Sequence, residues 1–99
     1  MTVDYETMLL EFAEFGGATR ELVEARIAEA YRRTPERIWG DLMDDGAKYL
    51  AAHLIALSPF AAELKLVGPD RKTLYGEERA RLERLVSSGF RVTGTSWPL

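Results

Sequence analysis

Residues Ala47 to Leu57 read AKYLAAHLIAL, a run of Ala, Leu, Ile and Tyr interrupted only by Lys48 and His53. A helix that is apolar on nearly every side is the core helix of a globule. The run falls short of the ~20 residues that span a bilayer. Ser58-Pro59 stops it, because the proline ring cannot continue the hydrogen-bond ladder. Asp44 and Asp45 precede it, and their carboxylates suit the free N–H groups of a helix start. These signals predict a central helix over residues 46–58. Leu50, Leu54 and Leu57 share one stripe, flanked by Ala47, Ala51 and Ile55. Lys48, Tyr49, Ala52, His53 and Ala56 form the less apolar side.

The neighbouring segments read as material to cover this rod. Asp4 to Phe12 is a short amphipathic helix capped by Asp4, with Met8, Leu9 and Phe12 on its apolar face. Gly16-Gly17 breaks the chain after Phe15. Thr19 caps a long helix to Arg33 that turns Val23, Ile27, Ala30 and Tyr31 to one side, with Glu29 and Arg33 one turn apart. Thr34-Pro35-Glu36 is a restart signal, Thr as cap and Pro in the first turn. It predicts one or two turns ending at Gly40, with Trp39 folded onto the central helix. Phe60 to Leu66 fits a short helix or a single strand, and Gly68-Pro69-Asp70 is a turn. Leu74 to Val86 is the last helix, with Leu82, Leu85 and Val86 inward and the pairs Glu77–Arg81 and Arg79–Glu83 outside. Gly89 ends it. Residues 89–99 lose the helical pattern. They read as an extended arm after a helical domain of residues 1–88, either folded back on its own bundle or docked on another protein through Phe90, Val92, Trp97 and Leu99.

Composition narrows the function classes. Ninety-nine residues with 46% apolar content make one small globular domain, which buries roughly 60–70% of its unfolded surface. Cysteine is absent, which excludes disulfides, thiolate metal sites and a cysteine nucleophile. The start, MTVDYETMLLEF, is acidic where a signal peptide is cationic. A net charge of −3 with both signs mixed along the chain argues against a dedicated nucleic-acid binder with a basic stripe.

No catalytic constellation is legible. His53 is the sole histidine, with no His-Glu-x-x-His spacing, and reads as a hydrogen-bonded boundary residue of the core helix. Asp41, Asp44 and Asp45 lack the spaced oxygens and closing Glu of a calcium loop, and capping accounts for them. Gly16-Gly17 lacks the Lys-Ser/Thr end of a phosphate loop. Arg71, Lys72, Arg79, Arg81 and Arg84 form the most basic section, diluted by Glu77, Glu78 and Glu83. No cofactor, metal or enzyme activity is expected.

The order Phe12-Ala13-Glu14-Phe15, then Ile27 and Ala30, then Trp39-Gly40, then Tyr49 to Leu57 with Ala51-Ala52-His53-Leu54 at its centre, then Thr73-Leu74-Tyr75-Gly76 with Leu82, resembles a known family. It is that of the small head–tail connector (adaptor) proteins of tailed bacteriophages and of gene transfer agents, which are phage-like particles. The resemblance covers residues 8 to 86. Members often have Pro where Ala13 stands, and a longer Gly/Ser-rich segment where this chain has Pro59–Lys72. The resemblance implies an all-α bundle of four to five helices around helix 46–58 with an extended C-terminal arm. It implies a ring of copies, commonly twelvefold, between the portal protein and a stopper or tail-terminator connector. DNA passes through that ring without sequence recognition. No enzyme activity and no membrane are involved, and the chain is made in the bacterial cytoplasm and ends in the virion. Phe12, Phe15, Ile27, Trp39, Gly40, Leu50, His53, Leu54, Leu57, Tyr75, Gly76 and Leu82 are then core residues, and the C-terminal segment is the candidate for portal contact. The alternative is a small helical DNA-binding regulator or antitoxin-like interaction module, which requires a basic recognition helix.

Overall fold

Three helix starts are fixed by side chains that satisfy free backbone N–H groups. Asp4 Oδ1 accepts from the Thr7 amide at 2.8 Å, Thr19 Oγ1 from Leu22 at 3.1 Å and Thr73 Oγ1 from Gly76 at 2.9 Å. They open α1 (Tyr5–Glu11), α2 (Arg20–Arg32) and α5 (Leu74–Ser87). The short α3 (Glu36–Trp39) and the central α4 (Met43–Ala56) lie between them. The computed structural model describes residues 3–88. Ala13–Phe15, Gly40–Leu42, Pro59–Leu64 and Pro69–Arg71 form 3₁₀ turns, and no strand occurs among the described residues. The chain is therefore an all-α bundle built on α4, which packs chiefly against α2 and α5. The C-terminal arm, with Phe90, Val92, Trp97 and Leu99, and the stop at Gly89 lie outside the described residues.

The core has two parts. The larger joins Met8, Phe12, Phe15, Val23, Ile27 and Ala30 to Ala47, Ala51, Ala52 and Ile55 of α4. The smaller is Trp39 with Leu82 and Val86, and Tyr49 packs against both. Phe15 is fully enclosed, which contributes about 2–3 kcal/mol. Phe12 and Phe15 take the Tyr75 ring at centroid distances of 5.3 and 5.5 Å, the first edge-on as ring quadrupoles prefer. Thus the N-terminal segment and the start of α5 close over the same end of α4.

Four details depart from the sequence expectation. The central helix spans 43–56 rather than 46–58, so Asp44 and Asp45 sit within its first turn, and Leu42 precedes it with no side-chain cap. Asp44 accepts from the Tyr31 hydroxyl, which arrives from α2 at 2.5 Å. The buried face of α4 runs through Ala47, Ala51, Ala52, Ile55 and Ala56, while Leu54 and Leu57 are half-buried; small residues let α2 and α5 approach from both sides. Thr34 does not cap α3. Its hydroxyl donates back to Ala30 O at 2.7 Å, leaving Pro35 at the N-cap. Phe60–Leu66 is neither α-helix nor strand but the 3₁₀ run Pro59–Leu64, ending at left-handed Lys65 (φ 55°).

Candidate functional site

α5 carries the chemistry-bearing residues, and its inner stripe is not wholly apolar. Tyr75, Arg79, Leu82 and Val86 follow helical spacing, so Arg79 points inward with the leucine and valine. It is 7% exposed. Nη1 donates to Thr34 Oγ1 at 2.8 Å and to Gly46 O at 3.0 Å, and Nη2 donates to Arg33 O at 3.1 Å. Nε donates to Glu83 at 2.8 Å, and the guanidinium lies 4.4 Å from the Trp39 ring centroid. One planar fork thus ties α5 to the end of α2 and the start of α4. The carbonyl end of α2 is the negative pole of its dipole, where a cation is favoured. Trp39 fits because residue 46 is glycine: a Cβ there would fall 2.7 Å from Trp39 Cε3. Gly40, at φ +55°, then turns the chain away from Trp39.

A second joint lies one turn nearer the start of α5. His53 Nδ1 is 2.8 Å from Thr73 Oγ1, whose lone pair takes the Gly76 amide. Burial, then the charge of Arg71, holds the His53 pKa below its ordinary value. The imidazole is therefore neutral at pH 7, and this network assigns Nδ1 as acceptor of the Thr73 hydroxyl proton. Gly76 lets the ring in, since a Cβ would stand 2.7 Å from Nδ1. Beside it the Tyr75 hydroxyl donates to Glu14, and burial followed by that carboxylate raises the Tyr75 pKa well above the usual range.

These joints hold the residues that carry the family resemblance. Phe12, Phe15, Ile27, Trp39, Leu50 and Leu82 are buried, and His53, Leu54, Leu57, Tyr75 and Gly76 are half-buried around them. Gly40 is exposed at its turn. Arg79 is the residue the sequence reading misplaced as an outer ion-pair partner. Its pairing with Glu83 is present, but four further contacts take the guanidinium inward. Its position three residues before Leu82 and seven before Val86 is the signal that could have placed it. The outer partner of Arg81 is Glu78, not Glu77.

Between α4 and α5 a cleft of about 470 Å³ opens beside His53. Its lining includes the buried or half-buried Leu50, Thr73, Gly76 and Ala80 and the exposed Arg71, Lys72, Glu77 and Glu83. Arg71 and Lys72 come from the loop after α4, closed by Gly68 N–H donating to Lys72 O at 2.7 Å. Asp70 and Arg71 both take positive φ there, 63° and 59°, at a cost on the order of 1 kcal/mol each for side-chain-bearing residues. Arg20, Arg26, Arg33, Lys48, Arg79 and Arg81 all meet carboxylates. Arg32, Arg37, Lys65, Arg71, Lys72 and Arg84 meet none among the described residues. Two leucines are strongly exposed, Leu10 at 88% and Leu74 at 79%.

Among the described residues no group of His, Asp and Glu is placed to hold a metal ion, and no helix is long and apolar enough to cross a membrane. With Arg79 buried and Arg81 held by Glu78, α5 presents no continuous basic stripe of the kind a recognition helix needs. Compared with known proteins, the chain matches no family model, no curated protein and no solved structure.

Proposed function

We propose that this chain is a structural subunit of a phage or phage-like particle, a head–tail connector that joins copies of itself between the portal and the next connector or tail protein. One observation carries the reading. The sequence blocks that resemble the connector family, widely separated along the chain, meet at two adjoining joints: Trp39 with Leu82, and His53 with Thr73 and Gly76, roofed by Phe12, Phe15 and Tyr75. Residues recurring for a common fold belong at such packing joints. Here the histidine is engaged by a threonine and the buried arginine by backbone and hydroxyl oxygens. The outer faces of α2 and α5 carry mixed charge in local pairs, a surface suited to polar contacts between subunits. Its role in a particle is to form a rigid wall of helices around passing DNA, with no cofactor.

The test is protein mass spectrometry of particles purified from the producing culture on a density gradient. The chain co-purifies with portal and capsid proteins in several copies per particle if the reading holds. Its absence from intact particles ends it. Salt-sensitive binding of the isolated chain to duplex DNA in a gel shift supports the regulator reading instead.

A further inference from the structure

The joint between α4 and the start of α5 is built around a neutral imidazole. The Thr73 hydroxyl makes both of its bonds there. Its oxygen accepts the Gly76 amide at 2.9 Å, which caps α5, and its proton goes to His53 Nδ1 at 2.8 Å. Thr73 is 3% exposed, and among the described residues that proton has no other acceptor. The ring also lies against the backbone of the first α5 turn, since a Cβ on Gly76 would fall 2.7 Å from Nδ1. The start of this 14-residue helix is the positive pole of its dipole.

An imidazolium is opposed at this place from every side. Nδ1 becomes a donor, so the Thr73 proton loses its acceptor and the Thr73 oxygen faces two N–H groups. The new charge meets the positive pole of α5. It shares the cleft with Arg71 and Lys72 of the preceding turn and with Glu77, Arg79 and Glu83 of α5. Arg79 and Glu83 offset each other at 2.8 Å, and Glu77 is exposed and screened by solvent. Burial first, and then the charge of Arg71, disfavour the protonated ring.

The segment that Thr73 anchors is itself strained. Asp70 and Arg71 take positive φ, 63° and 59°, and the turn is closed by Gly68 N–H donating to Lys72 O at 2.7 Å. Side-chain-bearing residues keep such a backbone only while their surroundings fix it. When the Thr73 anchor loosens, the turn relaxes with it.

We propose that His53 is an acid-sensitive clasp: its protonation releases the Thr73 cap, frays the first turn of α5 and frees the Gly68–Lys72 turn, while α2 and the Arg79 joint stay closed. The opening is local, distinct from unfolding, and does not depend on the connector role.

NMR on the full chain tests it. The ring protons of His53 give its titration midpoint, and amide exchange, corrected for its intrinsic pH dependence, gives protection at Gly76 and at Leu22. The Leu22 amide, held by Thr19 at 3.1 Å, is the same kind of cap without a histidine. As pH falls through the His53 midpoint, Gly76 protection drops roughly fivefold or more, as expected for a lost cap, and Leu22 protection holds. Arg71→Ala moves the His53 midpoint and the Gly76 drop to higher pH together. His53→Gln, whose amide oxygen accepts the Thr73 proton without titrating, keeps Gly76 protection level over the same range. Gly76 protection that is constant through the His53 titration overturns the clasp. So does an equal fall at Leu22, which is global acid unfolding, or an equal fall in His53→Gln. A Gly76 drop that stays in place while Arg71→Ala moves the midpoint overturns it as well.

Discussion

Arg79 and Arg71 are the same side chain put to opposite uses on either side of the α5 start. Arg79 is enclosed by Thr34, Gly46, Arg33, Glu83 and the Trp39 ring. Arg71 is exposed on a left-handed turn at the mouth of a cleft. A guanidinium with four of its five N–H donors taken by the fold is committed to stability. One held outward without a carboxylate is open to a contact from outside. The first region is a closed joint in which, among the described residues, no buried side-chain polar atom lacks a partner. The second carries its cations and its strained backbone at the surface.

The largest effect that tests this contrast is Arg79→Ala. It leaves Gly46 O and Arg33 O without their side-chain donor and removes the cation from Trp39, and it should cost about 3 kcal/mol. For a domain of this size that is a fall in Tm of roughly 4–8 °C per kcal/mol. Arg79→Lys recovers only part, because a point ammonium cannot reproduce the planar fork. Gly46→Ala comes next. Its methyl group meets the Trp39 ring, and both backbone and indole are confined, so about 2 kcal/mol is expected by thermal unfolding. Gly76→Ala meets the movable imidazole of His53 and should cost about 1 kcal/mol.

The pH response is smaller still. The folded His53 pKa lies below the ordinary 6.5, so between the two values the unfolded chain binds more protons. Stability therefore rises with pH through that window and is lost as pH falls through it. His53→Gln flattens that slope in a pH series of denaturant melts. Arg71→Ala raises the His53 pKa in an NMR titration by removing a nearby positive charge. The smallest effect is on the stability of the exposed rim: Arg71→Glu/Lys72→Glu should change it by less than about 0.5 kcal/mol. A loss near that of Arg79→Ala would erase the distinction between the two regions.

Much of the fold was legible because local signals and burial agree. Asp4 and Thr19 cap the helices they were expected to cap, and Trp39 packs on the central helix at Gly46 as expected. The readings that failed did so where a distant group outcompeted a local one. Thr34 and Asp44 have the chemistry of caps, but Arg79 and Tyr31 reach them across the bundle. Arg79 looked like a surface ion pair because charge outweighed its position in the Tyr75–Val86 stripe. The cleft could not be read at all. It is made of residues from α4, the Gly68–Thr73 loop and α5, and its rim depends on two side-chain-bearing residues adopting positive φ, which the sequence does not announce.

In the proposed connector role these helices form the wall of a ring rather than a catalytic or DNA-reading surface. Cryo-microscopy of purified particles, reconstructed at the head–tail vertex, tests it most directly. If the connector role holds, the map contains copies of this bundle in a closed ring between portal and tail. A vertex whose density is fully explained by other proteins, with no ring of this bundle, would contradict it.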